Sequence, residues 1–348
     1  MRVTQGMLTR SFLKNINTNL SNRAKSQEKI ESGKKFSRSS ENLSDAARAL
    51  KVREELYANK KYLSNIENVQ SRLSAAETNL SSINSVLVTA WDKMQKALTD
   101  TSTNERDILA QEVDSLKDEV LQFANSQFSD KYLFGGSNNG SAPFTEDSAT
   151  GKILYNGVPV DDIKKDTDGT YYYYKTPADE AGDIKTAVPE NSDVYLDIGL
   201  GLNMTGSTVD PRSAFKVSFS GLDIFGCGTD SETGLPNNVF SLLSNAVDTM
   251  NSQPMDSDQL SQISDFLKTK TQKVLLSITD IGTKTNFLDN SANRLENDIL
   301  NLTTAQQTLE ITDDTSETIQ WKMYDYAYKA TLQMGSKVLP LSLMDFIS

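Results

Sequence analysis

The chain contains no histidine and a single cysteine, Cys227. The first absence removes the commonest metal ligand and the side chain that titrates nearest neutral pH. The second excludes a disulfide within the chain. Enzyme chemistry is short of its usual parts, so the expectation is a non-enzyme with no cofactor and no metal site. Aromatic residues make up only 8% of the 348 residues, and the mean hydropathy is -0.46. That inventory suits narrow helical seams better than one broad core, and an elongated molecule is expected. No stretch approaches the roughly 18 apolar residues of a membrane span. "MRVTQGMLTRSFLKNINTNL" also lacks the apolar core of a secretory signal, so a membrane partner and a cleaved signal peptide are not expected. The formal net charge of -12 repels a phosphate backbone, which argues against nucleic acid.

What the chain does have is heptad spacing. Ile66, Leu73, Leu80, Leu87 and Met94 recur at every seventh position, each followed three residues later by Val69, Ala76, Ile83, Ala90 or Ala97. Such a stripe packs a helix against another helix. A second helix opens with Ser102 and Glu105, spaced as a capping box, and continues through Leu109, Val113, Leu116, Val120 and Phe123. The two are expected to form a hairpin around "TDTSTN". Near the other end Leu260, Leu267, Val274, Ile281, Leu288, Leu295, Leu302 and Leu309 keep unbroken heptad spacing, with Ile278, Ala292 and Ile299 as a partial second row. One helix of that length runs about 75 Å and needs a long partner. These seams speak for the fold rather than for function.

Between residues 132 and 235 the pattern changes. Asn156-Gly157 in "KILYNGVPVD" and Asp168-Gly169 in "DTDGTYYYYK" have the form of two-residue hairpin turns. Further strands are expected in "SDVYLDIGLGL" and "AFKVSFSGL". The fold class is therefore α+β: an elongated helical bundle or coiled-coil rod built from N- and C-terminal helices, with a small inserted β domain. The division reads as terminal helices at 1–40 and 315–348, a rod at 41–131 and 236–314, and the insertion at 132–235.

The terminal helices are weaker. Leu13, Ile16, Leu20, Ala24 and Ile30 lie at helical spacing among asparagines that compete for backbone hydrogen bonds. Met323, Ala327, Ala330, Met334, Val338 and Leu341 do the same at the far end, with Pro340 as a kink or stop. Each buries a face only if another helix covers it. Between the first helix and the rod stands "SGKKFSRSSENLSDAARAL". Gly33 can end one helix, Lys34 to Ser40 can bend, and Ser44-Asp45 can cap the next, which makes this stretch a joint.

Several features have a plain structural explanation. "GGSNNG" at 135–140 and "GLGLNMTG" at 199–206 lack the strand-to-helix setting of a phosphate loop. "DTDG" holds only part of a calcium loop. Asp161-Asp162 and Asp313-Asp314 read as turn and cap residues, Tyr171 to Tyr174 as sheet residues, and Cys227 as structural.

"QEKIESGKKFSRSSENLSDAARALKVREEL" (27–56) resembles the N-terminal region of the bacterial flagellin superfamily, in particular its hook-associated protein 3 branch. "ANSQFSDKYLFGGSNNGSAPFT" (124–145), "DIGTKTNFLDNSANRLEN", "LEITDDTSETI" and "SLMDFIS" are similar to that branch in the same order. Pro340 departs from a continuous terminal helix. The resemblance implies an extracellular structural subunit of the flagellum at the hook-filament junction, exported through the flagellar apparatus with a dedicated chaperone. It implies a ring of copies bound to hook-associated protein 1 and supporting flagellin polymerisation. It also implies terminal helices that form the inner axial layer and are disordered in the free monomer. Flagellin itself is the nearest rival. A binding module or enzyme in the β insertion, and a cytoplasmic coiled-coil scaffold, are rivals of other classes.

Overall fold

A computed structural model describes residues 5–99, 102–138, 140–206 and 208–338. Its helices in chain order are α1 (Gln5–Ser32), α2 (Leu43–Leu98), α3 (Thr103–Ala124), the short α4 (Pro177–Ala181) and α5 (Gly221–Phe225), α6 (Val239–Asn251), α7 (Ser257–Glu310) and α8 (Asp314–Val338). Long N- and C-terminal helices thus flank a small β region, as the α+β reading requires. The chain divides into two compact units, one of residues 1–60 with 295–348 and the other of residues 61–294. These boundaries fall inside α2 and α7, because each helix carries one seam into both units.

In the second unit the heptad rows form the core. Every position of the α2 stripe from Ile66 to Ala97 is buried, and so are Leu260, Ile263, Leu267, Val274, Ile281 and Leu288 of α7. The polar groups beside the seam set an antiparallel register. Gln95 Nε2 donates to Ser264 Oγ at 2.7 Å, the Lys268 ammonium lies 5.5 Å from the Trp91 ring centre, and Gln70 Nε2 donates to Asp289 Oδ1 at 2.6 Å. Each step down α2 is matched by an equal step up α7, so one register holds along the seam. In the first unit the same α7 row loosens, with Leu302 and Leu309 only half-buried.

The Ser102-Glu105 capping box forms, the Ser102 amide donating to the Glu105 carboxylate at 3.1 Å. Lys93 Nζ lies 2.5 Å from Glu112 Oε2, tying α2 to α3 as the hairpin expectation demands. Val113 and Val120 of α3 are buried, whereas Leu109, Leu116 and Phe123 are half-buried. Helix α6 packs on α3. Its cap, Asn238, is fully buried, accepts from the Phe240 amide at 2.9 Å and donates to the Gly226 carbonyl at 2.9 Å.

The β region is a set of short antiparallel pairings. A hairpin joins β1 (Gln127–Phe128) to β2 (Lys131–Tyr132), and a three-stranded sheet is made of β3 (Phe144–Glu146), β4 (Ile153–Tyr155) and β5 (Val158–Pro159). A second contains β6 (Lys164–Lys165), β7 (Tyr171–Tyr173) and β8 (Thr186–Ala187), followed by β9 (Tyr195–Leu196), the β10 (Met204–Thr205) and β11 (Thr208–Val209) hairpin, and β12 (Phe215–Lys216). The two segments expected as strands pair with each other, Phe215 opposite Leu196. Asn156 and Gly157 turn β4 into β5 with φ of 48° and 84°, the two-residue turn expected there. The other turn differs. The Asp166 amide donates to the Thr170 carbonyl at 2.8 Å, and the Gly169 amide to the Asp166 carbonyl at 3.0 Å, which leaves a three-residue loop with Gly169 at φ 89°. Asp168 keeps negative φ because its carboxylate accepts from the Thr170 amide at 2.9 Å.

This region has its own core. Phe144 is 5.0 Å from Tyr155, 5.5 Å from Phe225 and 5.0 Å from Phe240, ring centre to ring centre. Phe240 belongs to α6, so the insertion is packed onto the helices rather than hung from them. Burial pushes the Tyr155 hydroxyl up to about 12.

Candidate assembly surface

Helices α1 and α8 run antiparallel against each other within the first unit. From one end of the contact to the other, Ser26 Oγ donates to Glu317 Oε1 at 2.7 Å, Arg23 Nη1 lies 3.1 Å from Asp325 Oδ1, and Asn19 Nδ2 donates to Thr331 Oγ1 at 3.1 Å. Beyond them Gly335 lies under Phe12, and a Cβ at that position would fall 2.0 Å from the ring. The Lys329 ammonium first, and the Arg23 guanidinium after it, hold the Asp325 carboxyl below its usual value. The Arg23–Asp325 pair is only part-buried, at 30% and 18% exposure, and pairs still in reach of water contribute little to stability, so the seam is polar and close. The structure pairs these helices within one chain, where the family resemblance implies termini that lack order until assembly.

The expected site residues do not all face that seam. On α1, Ile16 and Ile30 are half-buried, whereas Leu13 and Leu20 are 52% and 42% exposed. On α8, Ala327 and Ala330 are half-buried, but Met323 and Met334 are 65% and 60% exposed. Val338 is the last residue of α8, and Leu341 and Pro340 lie outside the described residues. Ile319 and Tyr326, 57% and 76% exposed, were not singled out from the sequence. They complete a row Ile319, Met323, Tyr326, Ala330, Met334 at helical steps of three or four residues. The residues that meet α1, Glu317, Asp325, Thr331 and Gly335 among them, lie on another face. The α8 row is an apolar stripe with no partner among the described residues.

The joint is built rather than loose. Gly33, at φ 66°, ends α1 in the left-handed conformation that glycine tolerates. Its carbonyl accepts from the Thr312 amide at 3.0 Å, and the Lys35 amide donates to the Glu310 carbonyl at 2.7 Å. Lys34 pairs with Ile311 as an antiparallel bridge, and the Lys35 ammonium bonds the Thr308 carbonyl. The expected freedom of residues 34–40 is thus corrected at its start, because the linker before α2 pairs with the linker between α7 and α8. The cap is corrected too. Asn42, not Ser44, receives the Asp45 amide at 3.2 Å and donates to the Asp45 carboxylate at 2.6 Å. Ser44 is exposed at the second helical position, two residues past the cap.

Arg53 Nε at 2.6 Å from Glu310 Oε1 braces the same corner and holds the Glu310 carboxyl below its usual value. A depressed carboxylate contributes stability that is present above its unfolded pKa, near ~4.3, and lost as pH falls through the folded value. Because the pair is partly exposed, Glu310→Gln is expected to cost only about 0.5–1 kcal/mol at pH 7. It should also flatten the acid-induced loss of protection at the Lys35 amide, read by hydrogen exchange. An equal acid loss in the variant would show that another group controls the corner.

The chemistry-bearing alternatives resolve into structure. Asn138 in "GGSNNG" donates to Asn156 Oδ1 at 2.8 Å and accepts from the Gly140 and Ser141 amides, closing its own loop. Tyr171 is buried and bonds Asp223, and burial with that bond raises its hydroxyl's pKa. Burial pushes the Cys227 thiol up to about 11, unlike a reactive thiol. Among the described residues no group of His, Cys, Asp and Glu could hold a metal, and no helix is long and apolar enough to cross a membrane.

Sequence comparison adds to this geometry. Residues 3–139 match the bacterial flagellin N-terminal helical region. The match covers α1, α2 and α3 with the joint between them. A flagellin of Clostridium tyrobutyricum is 28% identical over 142 residues, 40% of this chain and 38% of that protein. The chain's match thus spans about two fifths of that relative's length. A solved structure described as a flagellar hook-associated protein of Vibrio parahaemolyticus overlaps 78% of this chain and 100% of its own, with a TM-score of 0.57 and 16% identity. That likeness establishes a common fold. The flagellar hook-associated protein-3 of Legionella pneumophila overlaps 74% of this chain and 98% of its own at 14% identity. Its TM-score of 0.48 is too low to establish a fold by itself.

Proposed function

We propose that this chain is a structural subunit of the bacterial flagellum that forms the hook-filament junction on which flagellin polymerises. The observation that carries the reading is the uncovered α8 stripe on a helix paired with the flagellin-like N-terminus. Met323 and Met334, at 65% and 60% exposure, await helices of neighbouring copies. Assembly is then the mechanism: terminal pairs stack, each apolar row is buried, and the ring becomes a template. The fold shared with the Vibrio hook-associated protein supports a junction subunit over a filament subunit. The partners in this reading are further copies of the chain, hook-associated protein 1, flagellin and a dedicated export chaperone. The working place is outside the cell, in the flagellum, and no catalytic step is required. A flagellin filament subunit is the second reading, favoured by the Clostridium relative.

Electron microscopy of cells lacking the gene, with flagellin probed in the medium, separates the two. The junction reading expects bare hooks with monomeric flagellin shed into the medium. Bare hooks with no flagellin outside would identify the chain as the filament subunit, and normal filaments would refute both.

A further inference from the structure

The first turns of α2 carry an apolar row that none of the described residues covers. Leu43, Leu50 and Tyr57, each seven residues from the next, are 75%, 59% and 73% exposed. An adjacent face of these turns is already occupied, with Ala49 and Leu56 buried and Ala46, between that face and the row, buried with them. A helix with apolar rows on two faces is built for two helical partners.

The row starts beside a cleft of about 710 Å³ that ends at Asn42 and includes Phe36 and Tyr324. Its carboxylates are engaged: Glu28 accepts from Ser37 Oγ at 2.8 Å, Glu41 from the Ser37 amide at 3.0 Å, and Glu317 from Ser26. Of its cations, Lys29 faces Glu317 and Lys35 bonds the Thr308 carbonyl, whereas Lys25, Lys34 and Arg38 are exposed with no ion pair or side-chain hydrogen bond among the described residues, Lys34 acting only at longer range on Glu310. The occupant of such a surface is a helix with an apolar residue beside an acidic one. A second copy supplies it. On α7, Glu296 and Leu300 stand one turn apart, both exposed, Leu300 at 65%. In a chain of net charge -12 the basic cleft is also a minority feature that attracts the bulk of another copy's surface.

We infer that the α2 row and the joint cleft form a side-to-side contact that receives the Glu296–Leu300 segment of a second copy. This rests on the assembly reading and names a contact apart from the terminal helices. The test uses the full chain with Cys227→Ser, carrying either Leu50→Cys or Leu300→Cys. The two variants are mixed and oxidised, both in intact flagella and as concentrated purified protein. A covalent dimer at least tenfold more abundant in the mixture than in either variant alone is expected. Lys34→Glu with Arg38→Glu should weaken self-association at least tenfold, and adding Glu296→Lys to the same chain should restore it to within threefold. No mixed dimer in either setting, or no restoration, overturns the contact. A mixed dimer from purified protein, with the chain absent from flagella, would keep the contact and refute the junction role.

Discussion

Leu80→Asp is expected to abolish the cooperative unfolding of the second unit at neutral pH. Leu80 is fully buried in the middle of the α2 stripe, between Leu73 and Leu87, which are also fully buried. A carboxylate placed there is enclosed in the buried apolar seam and loses its water, a mechanism that ranks among the few able to exceed about 4–5 kcal/mol. Leu80→Ala should cost about 2–5 kcal/mol, the lost transfer energy plus a cavity the rigid seam cannot close. Leu302→Ala, in the half-buried part of the α7 row, should cost a fraction of that. Urea unfolding followed by circular dichroism measures all three. Because acid protonates the introduced group, the Asp variant should regain helix as pH falls, whereas the Ala variants should not. Equal losses at Leu80 and Leu302 would mean that the seam is no tighter in one unit than in the other.

That contrast also explains what the sequence reveals and what it hides. The α2 and α7 rows are legible because a fully buried stripe tolerates only apolar residues at its spacing, and every position from Ile66 to Ala97 obeys. Asn156-Gly157 is legible because a two-residue turn needs positive φ at both positions, which both adopt. Asp168 resembles the same signal but settles differently, since its carboxylate engages Thr170 and only Gly169 turns. Helix α6 fell within the expected helical segment 236–314 without a row of its own, because its 13 residues bury one broad face, Val239, Leu243, Ala246 and Met250 with Phe240, Leu242 and Thr249, and are too few to repeat a heptad stripe. Asn42 hid behind Ser44 because both are good caps, and only backbone geometry decides between them. The joint was the hardest to foresee. Its order comes from residues 310–312, remote in sequence, whose carbonyl and amide groups carry no signature in side-chain type.

Met323→Asp together with Met334→Asp is expected to leave the monomer intact and to eliminate the junction. Both side chains are mostly exposed, and surface changes of this kind usually move stability by less than about 0.5 kcal/mol. The unfolding curve of the second unit should therefore superimpose on that of the unaltered chain. In the proposed assembly the same positions become buried against neighbouring helices, where two introduced carboxylates per copy would face one another around a ring. Each copy then forfeits the apolar burial, about 1.5–3 kcal/mol per methionine, and adds like-charge repulsion in a drying interface. Repeated around the ring, that penalty exceeds what a marginal contact can absorb. Cells carrying the variant should show bare hooks and shed flagellin, and Met323→Leu with Met334→Leu should restore filaments by keeping the apolar row. Normal filaments with the double Asp variant would remove the α8 stripe from the assembly mechanism. An unfolded monomer would instead place both methionines in a core that their exposure denies.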